Sequence, residues 1–353
     1  MKVTIEERVL HFKQPAGTSR GVYTERCIWI VTVTDGERSG VGECAPLPDL
    51  SCDARPDYGE VLRGFCDQLE QTGQIDYEAM RDFPSMLFGL ETAMLSLHFS
   101  HLSPLTSHLS PLTSHLLFDT AFSRGEVGIP INGLVWMGRY DEMLQRMEQK
   151  LEQGFRCVKL KIGAIGFEQE LDLVKRIRNR FSHHEVELRL DANGAFPFKE
   201  ALYKLELLSQ YNIHSIEQPI RQGQWAVMAE LCRESPLPIA LDEELIGVND
   251  REMKSHLLNV IKPAYIVLKP SLHGGMAGCR EWIETARQHD VGSWITSALE
   301  SNIGLNAIAQ FCSAVYGDDI TMPQGLGTGQ LFTDNIPMPL EIRGDKLWRL
   351  RSS

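Results

Sequence analysis

Five ionisable side chains recur along this sequence at a nearly constant step. Lys161 closes the run RCVKLK, Asp191 the run LRLD, Glu217 the run SIE, Asp242 the run IALD and Lys269 the run YIVLK, with steps of 30, 26, 25 and 27 residues between successive members. Each ends a short apolar stretch of the kind that forms a buried strand. A lone acid after a strand is ordinarily a helix N-cap or a turn residue, and a KxK pair such as Lys159 and Lys161 ordinarily marks a solvated edge. Five charges at one spacing do not fit those readings. Residues i and i+2 of a strand share a face, so Lys159 accompanies Lys161, and Arg189 and Asn193 accompany Asp191. Three converging carboxylates repel one another and rise in pKa unless a cation sits between them. Oxygen-only ligands select a hard ion, Mg2+ ahead of Mn2+, and a set without His or Cys disfavours zinc. Such a cation among ammonium groups suits a substrate that gains negative charge as it reacts, as when a proton leaves carbon beside a carboxylate. A lysine crowded by other cations gives up its proton more easily and can act as a base near neutrality.

The elements that position these groups follow from periodicity. From residue 130 onward, apolar strand cores at 156–162, 186–191, 213–217, 238–242, 264–269, 292–297 and 320–324 alternate with helical stretches such as FEQELDLVKRIRNRF and KEALYKLELLSQY. That alternation predicts a parallel sheet, and the number of units fits a (β/α)8-type barrel whose active site lies at the carboxyl ends of its strands. A doubly wound sheet is the structural rival. It would place a glycine-rich phosphate turn after its first strand, and none is found there; GLGTG at 325–329 comes last and lacks a GK[ST] ending.

The first 50 residues read as strands. VTIEERVLHF alternates, and CIWIVTVTD ends at Asp35-Gly36, a hairpin signal. Residues 55–100 carry apolar positions at helical spacing. The expected organisation is an α+β capping domain over 1–128, the barrel over 129–330, and a C-terminal segment, 331–353, returning to the cap. SHLSPLT at 100–106 repeats at 107–113; prolines at the same period break any helix, so this is read as a loop extension and not as a metal site for His101, His108 and His115.

With 47 acidic and 35 basic residues the net charge is −12, which argues against a nucleic-acid partner. No run reaches the length of a membrane span. MKVTIEERVL is not a secretory signal, and no two of the eight cysteines form a CxxC pair. Reduced thiols in a cytoplasmic protein are expected, acting on a small-molecule carboxylate; the oligomeric state is not legible.

KLK at 159–161, LRLDAN at 188–193, IEQP at 216–219, LDE at 241–243 and LKPS at 268–271 together resemble the muconate-lactonizing subgroup of the enolase superfamily. GVGECAPLP at 40–48 resembles that subgroup's capping domain, so the likeness runs from about residue 1 to 345. The resemblance implies Mg2+ ligands at Asp191, Glu217 and Asp242, with Lys161 and Lys269 as an acid/base pair on opposite sides. Within the subgroup, LRLDAN, SALES at 297–301 and QGLGTGQLFTDN at 324–335 are similar to the branch of menaquinone biosynthesis that dehydrates a succinyl-hydroxycyclohexadiene-carboxylate to an aromatic succinylbenzoate. There Lys161 would remove the proton α to the ring carboxylate and help the hydroxyl leave on the same face, while Lys269 stays cationic beside the enediolate. Lys159, Arg189, Asn193, Ser297, Ser301, Gly325 and Gly327 are the expected substrate contacts, with cap loops within 13–25 and near 47–58 setting specificity. N-acylamino acid racemase and muconate cycloisomerase chemistry are the enzymatic rivals. A dipeptide epimerase is disfavoured because MPQGLGTGQ offers no Asp-x-Asp, and mandelate-type chemistry because SWITSA offers no histidine base. A catalytically silent barrel acting as a binding protein is expected to have lost one of the five charges.

Overall fold

The computed structural model describes residues 1–17, 21–100 and 115–351. The seven-residue repeat, apart from Ser100, and with it His101 and His108, lies outside the described residues. The amino-terminal part is an antiparallel sheet of β1 (Lys2–Gly17), β2 (Val22–Thr34) and β3 (Ser39–Cys44), followed by α1 (Tyr58–Thr72) and α2 (Pro84–Phe99). The expected hairpin is present: Gly36, at φ 102°, turns the chain from β2 into β3. Alternation along β2 sends Val31 and Val33 into a core with Leu62, Cys66 and Leu69 of α1, which share one helical face.

α2 is apolar on nearly all sides because it is covered on nearly all sides, lying between β3 and a helix of the second part. Its contact with β3 is so close that side chains are excluded. A Cβ on Gly42 would overlap the Gly89 carbonyl, and one on Gly89 would overlap the Cys44 sulfur.

The second part begins with β4 (Ile129–Pro130) and then alternates: β5 (Gly133–Val135), α3 (Tyr140–Glu152), β6 (Cys157–Lys161), α4 (Phe167–Arg180), β7 (Glu187–Asp191), α5 (Phe198–Ser209), β8 (Ser215–Glu217), α6 (Trp225–Glu234), β9 (Ile239–Leu241), α7 (Arg251–Ile261), β10 (Tyr265–Leu268), α8 (Gly275–Gln288), β11 (Gly292–Ile295) and α9 (Asn302–Tyr316). β5 through β11 pair in sequence order as a seven-stranded parallel sheet. Outward residues such as Val158, Leu160, Leu188 and Leu190 pack under Leu171, Val174 and Ile177 of α4. The stretch expected to be a strand at 320–324 is shorter than that. Only Gln324 and Gly325 pair, but they pair both ways, Gln324 with Ile131 beside β5 and Gly325 with Thr296 beside β11.

After α9 the chain forms β12 (Leu340–Arg343) and β13 (Lys346–Arg349), which pair with each other and with β4. Before that it touches the amino-terminal sheet, where Phe332 bridges to Phe12 and Asp334 accepts from His11 Nδ1 at 2.8 Å. Among the described residues no helix is long and apolar enough to cross a membrane.

Two buried carboxylates tie the parts together. Glu91 of α2 accepts from Met276 N (2.5 Å) and Ala277 N (3.0 Å) in the first turn of α8. Glu43 of β3 accepts from Ser301 N (2.8 Å), Ser301 Oγ (2.5 Å) and Gly304 N (2.8 Å) at the start of α9. Each satisfies amide donors that a helix start leaves orphaned, at the positive end of a helix dipole.

Two stability predictions follow from these contacts. Gly42→Ala sets a methyl against backbone that has no rotamer to yield, so it costs about 3 kcal/mol, the upper end for overpacking; a urea titration with an unchanged midpoint removes this contact from the fold's requirements. Burial pushes the Glu91 carboxyl up from 4.5 to about 7 against its two backbone hydrogen bonds. The folded chain therefore holds an extra proton there between those values, and stability present below pH 4.5 is lost as pH rises through about 7, by at most about 3 kcal/mol. Unfolding free energies at pH 5 and pH 7 should fall less for Glu91→Gln than for the native chain; equal falls rule Glu91 out as the cause.

Candidate active site

Strand register places the charges level with one another. Lys161 pairs with Asp191 and Asp191 with Glu217, so the ends of β6, β7 and β8 present three inward ionisable groups in one row. Asp242 and Lys269 directly follow β9 and β10. One oxygen from each of Asp191, Glu217 and Asp242 lies within 4.8 Å of the other two, and all three residues are buried. Lys159 Nζ stands 2.5 Å from Glu217 Oε2 and 3.1 Å from Asp191 Oδ2. Lys161 Nζ is 3.2 Å from Asp191 Oδ2 and donates to Asn193 Oδ1 at 2.8 Å. Lys269 Nζ faces both oxygens of Asp242, at 2.6 and 2.5 Å.

The electrostatics follow from this packing. Burial pulls the Lys159 ammonium down, but Asp191, Glu217 and Asp242 together outweigh it and hold the group above the usual lysine range. Lys269 is likewise lowered by burial and raised more strongly by Asp242 and Glu243. Burial raises the Asp191 carboxyl, and Lys159, Lys161 and Lys269 more than reverse that, leaving it below the usual carboxylate range. Glu217 ends the other way, pushed up to about 7 by burial, with Lys159 opposing and Asp191 and Asp242 adding to the rise. Its Oε1 is buried with no hydrogen-bond partner among the described residues. An unpartnered carboxylate oxygen beside two other acids is what a divalent cation would satisfy, and an all-carboxylate donor set fits a hard one.

Most of the groups named from sequence meet at one cavity. Lys159, Lys161, Asp191, Asn193, Lys269, Ser297, Gly325 and Gly327 all line one cavity. Asn193, at φ 44°, receives Lys161 and passes its amide to Glu243 at 2.9 Å, so it holds the lysine in place. Ser297 Oγ lies 2.6 Å from Thr328 Oγ1.

Arg189 does not reach the cavity. It points inward as its alternation demands, but one layer lower, level with Lys159. There it is wholly buried, bonded to Glu187 Oε1 (2.7 Å) and Pro323 O (2.9 Å) and stacked 4.5 Å from the Trp294 ring. It is a plug beneath the site and not a substrate contact. Ser301 is also corrected: its hydroxyl caps α9 and bonds Glu43, outside the cavity. The Gly325 amide, expected to face a carboxylate, is spent on Ile295 O at 2.8 Å, and the residue is glycine because a Cβ would strike Thr296.

Several participants escaped the sequence reading. Trp136, directly after β5, stands with its ring 5.7 Å from Lys161 Nζ. It precedes Lys161 by 25 residues, the step of the charged series, and that spacing was the available signal. Glu243 lines the same wall, and Gln218, at φ 37°, uses its Oε1 to accept from Asp242 N and Glu244 N, at 3.2 Å each, fixing the turn that presents Asp242. His273 Nδ1 accepts from Lys269 N at 2.9 Å and does the same for the lysine's backbone. Leu47 and Leu50 cover the cavity from the cap, within one of the two expected specificity loops; of the other, residues 18–20 lie outside the described residues.

A parallel α/β sheet that gathers buried acids between lysines at the carboxyl ends of its strands, under an α+β cap, defines a class of enzymes that take protons from carbon beside a carboxylate. The Enolase C-terminal domain-like family matches residues 142–344, and the MenC, N-terminal domain family matches residues 18–97. The chain belongs to the enolase superfamily, on the branch that carries this amino-terminal domain. It is 44% identical to the o-succinylbenzoate synthase of Desulfotalea psychrophila over 98% of both chains. The crystal structure of MenC from Desulfotalea psychrophila LSv54 superposes with a TM-score of 0.80 at 40% identity, covering 99% of each chain. A dipeptide epimerase from Enterococcus faecalis V583, solved with Mg and L-Leu-L-Tyr, shares the fold at 19% identity and a TM-score of 0.80 over 99% of this chain and 96% of that one.

Glu217→Gln keeps the shape of the side chain and removes a charge, so calorimetric titration with Mn2+ should show affinity lower by about tenfold or more. Unchanged affinity takes Glu217 out of the ligand set.

Proposed function

We propose that this chain is an o-succinylbenzoate synthase: it dehydrates 2-succinyl-6-hydroxy-2,4-cyclohexadiene-1-carboxylate to 2-succinylbenzoate, a step of menaquinone biosynthesis. The observation that carries the reading is likeness to such a synthase along almost the whole chain, with all five charged strand ends in place. Asp191, Glu217 and Asp242 would hold the divalent ion, Mg2+ by preference with Mn2+ as a substitute. When bound, that ion supplies positive charge against the substrate's ring carboxylate.

The chain's own groups do the rest. Lys161, in its neutral form, takes the proton from the carbon bearing the ring carboxylate. Asn193 Oδ1 fixes the direction of its Nζ. With that proton Lys161 then assists departure of the hydroxyl on the same face, and the ring becomes aromatic. Lys269 stays an ammonium, held by both oxygens of Asp242, and opposes the charge that builds on the substrate. Leu47, Leu50, Leu272 and Leu299 wall the cavity and limit water.

The two lysines are not equivalent. Lys269 is clamped by a carboxylate, whereas Lys161 donates to a neutral amide and lies farther from Asp191.

The finer architecture belongs to the same proposal. We read the sheet as a closed (β/α)8-type barrel over 129–330, with Gln324 and Gly325 as the strand that joins β11 to β5. The cap is 1–128 and is completed by 331–353, the reading supported by the contacts of Phe332 and Asp334 with β1. All eight cysteines are free, which suits the reducing cytoplasm.

Lys161→Ala should lower kcat for dehydration by at least about a thousandfold, within the range for loss of a general base, while Mg2+ still binds. The loss of the substrate's dienone absorbance as the ring becomes aromatic gives the rate. A variant that keeps a near-native rate assigns the proton transfer elsewhere.

A further inference from the structure

The cavity over Lys161 and Lys269 is about 90 Å³. Sites that hold a ligand of drug size are ordinarily about 300 Å³ or more, so this cavity alone is small for a cyclohexadiene ring carrying a carboxylate, a hydroxyl and a succinyl arm. Beside it lies a groove of about 900 Å³ on the outer side of β5 and α3. Cavity and groove share the walls Asn132, Leu134, Trp136, Gly327 and Thr328. The half-buried Trp136 indole therefore stands at the boundary, with Lys161 on one side and open groove on the other.

The groove is polar, and its charges are placed. Arg146 of α3 projects into it and donates from Nη1 to the carbonyls of Trp136 (3.3 Å) and Met137 (3.0 Å). A guanidinium has five donors, so this anchoring leaves it capacity for an anion. Lys150 lies one turn further along α3, over the Phe155 ring. Glu142, the acid of α3 that lines the groove, accepts from Arg139 N at 3.0 Å and also feels the Arg146 charge, so it takes up part of that guanidinium's capacity. Lys159 and Lys269 in the cavity are closed onto the metal-site acids, and Lys161 is shared between Asp191 and Asn193.

We infer that the groove is the subsite for the substrate's succinyl arm: the arm passes between Trp136 and Thr328, and its terminal carboxylate is bound by Arg146. The inference rests on the dehydratase reading for the identity of the arm. Arg146 then serves two ends, fixing the peptide that carries Trp136 and recognising the second carboxylate of the substrate.

Calorimetry with two ligands on the full chain in Mg2+ tests this: 2-succinylbenzoate, and 2-butyrylbenzoate, which keeps the ring carboxylate and ketone but lacks the terminal carboxylate. The native chain should prefer 2-succinylbenzoate by about tenfold or more, the worth of one charge-assisted contact. Arg146→Gln should weaken 2-succinylbenzoate by about tenfold more than it weakens 2-butyrylbenzoate, which erases the preference, and Arg146→Lys should restore part of it. Gln149→Glu, exposed on α3 and facing the groove, should weaken 2-succinylbenzoate alone by charge repulsion, and it carries the test if Arg146→Gln does not fold. A native chain without preference, or variants that weaken both ligands alike, overturn the inference. Dehydration without arm preference defeats this subsite and leaves the proposed function standing. Arm preference without dehydration does the reverse.

Discussion

Everything at the centre of this molecule depends on how three carboxylates are kept within 4.8 Å of one another inside a protein. Like charges at that distance, away from water, repel strongly, and the fold answers with cations on both flanks. Lys159 and Lys269 close on the acids directly, and Lys161 is shared between Asp191, at 3.2 Å, and the neutral amide of Asn193. The compensation is uneven. Asp191 is over-compensated and sits below the usual carboxylate range, while Glu217 retains an unpartnered oxygen and is pushed up to about 7. That residue of uncompensated negative charge is the demand a divalent ion could meet, and it binds the three acids and the flanking lysines into one electrostatic unit.

The parallel sheet supplies the geometry. Register puts Lys161, Asp191 and Glu217 side by side without any special loop. The turns beyond the strands are specialised instead. Gln218 and Asn193 both hold positive φ, and both use side-chain amides to tie one strand end to the next. A layer below, Arg189 stacks on Trp294 and fills the interior that the short strands would leave open. The lysines and acids are thus held from beneath by packing and from the side by amides, as a site requiring fixed distances needs.

How much of this was legible in the sequence depended on range. The strand–helix alternation is local, and so is the rule that puts i and i+2 on one face; together they located the five charges and the lysine Lys159. What they could not give was depth. Arg189 and Asp191 share a face, yet alternate layers send one to the floor and the other to the rim, and only the length of β7 above each decides it. The roles of Ser301 and Gly325 depended on partners that periodicity does not see. Glu43 lies 258 residues from Ser301, and the Gly325 amide is claimed by Ile295 through sheet pairing. Trp136 was legible in principle, since it falls one 25-residue step before Lys161, but an aromatic residue after a strand reads as core unless the spacing is extended backwards.

The amino-terminal part covers the cavity with Leu47 and Leu50. The buried bonds argue for a deeper role. Glu91 caps the helix that follows the Lys269 strand, and Glu43 caps the helix that follows the Ser297 strand. Arg26 adds bonds to Ala298 O and Ala45 O, at 2.5 and 2.6 Å, so that one guanidinium spans the cap and the rim. Leu299, which lines the cavity at a φ of 63°, sits within the segment these groups clamp. Moving the cap would therefore release donors at two helix starts and relax the rim on the side opposite Lys161. In such an arrangement the cap cannot be exchanged independently of the rim: a cap sequence that alters Glu43, Arg26 or Glu91 changes where Lys269 and Ser297 stand before it changes anything the substrate touches.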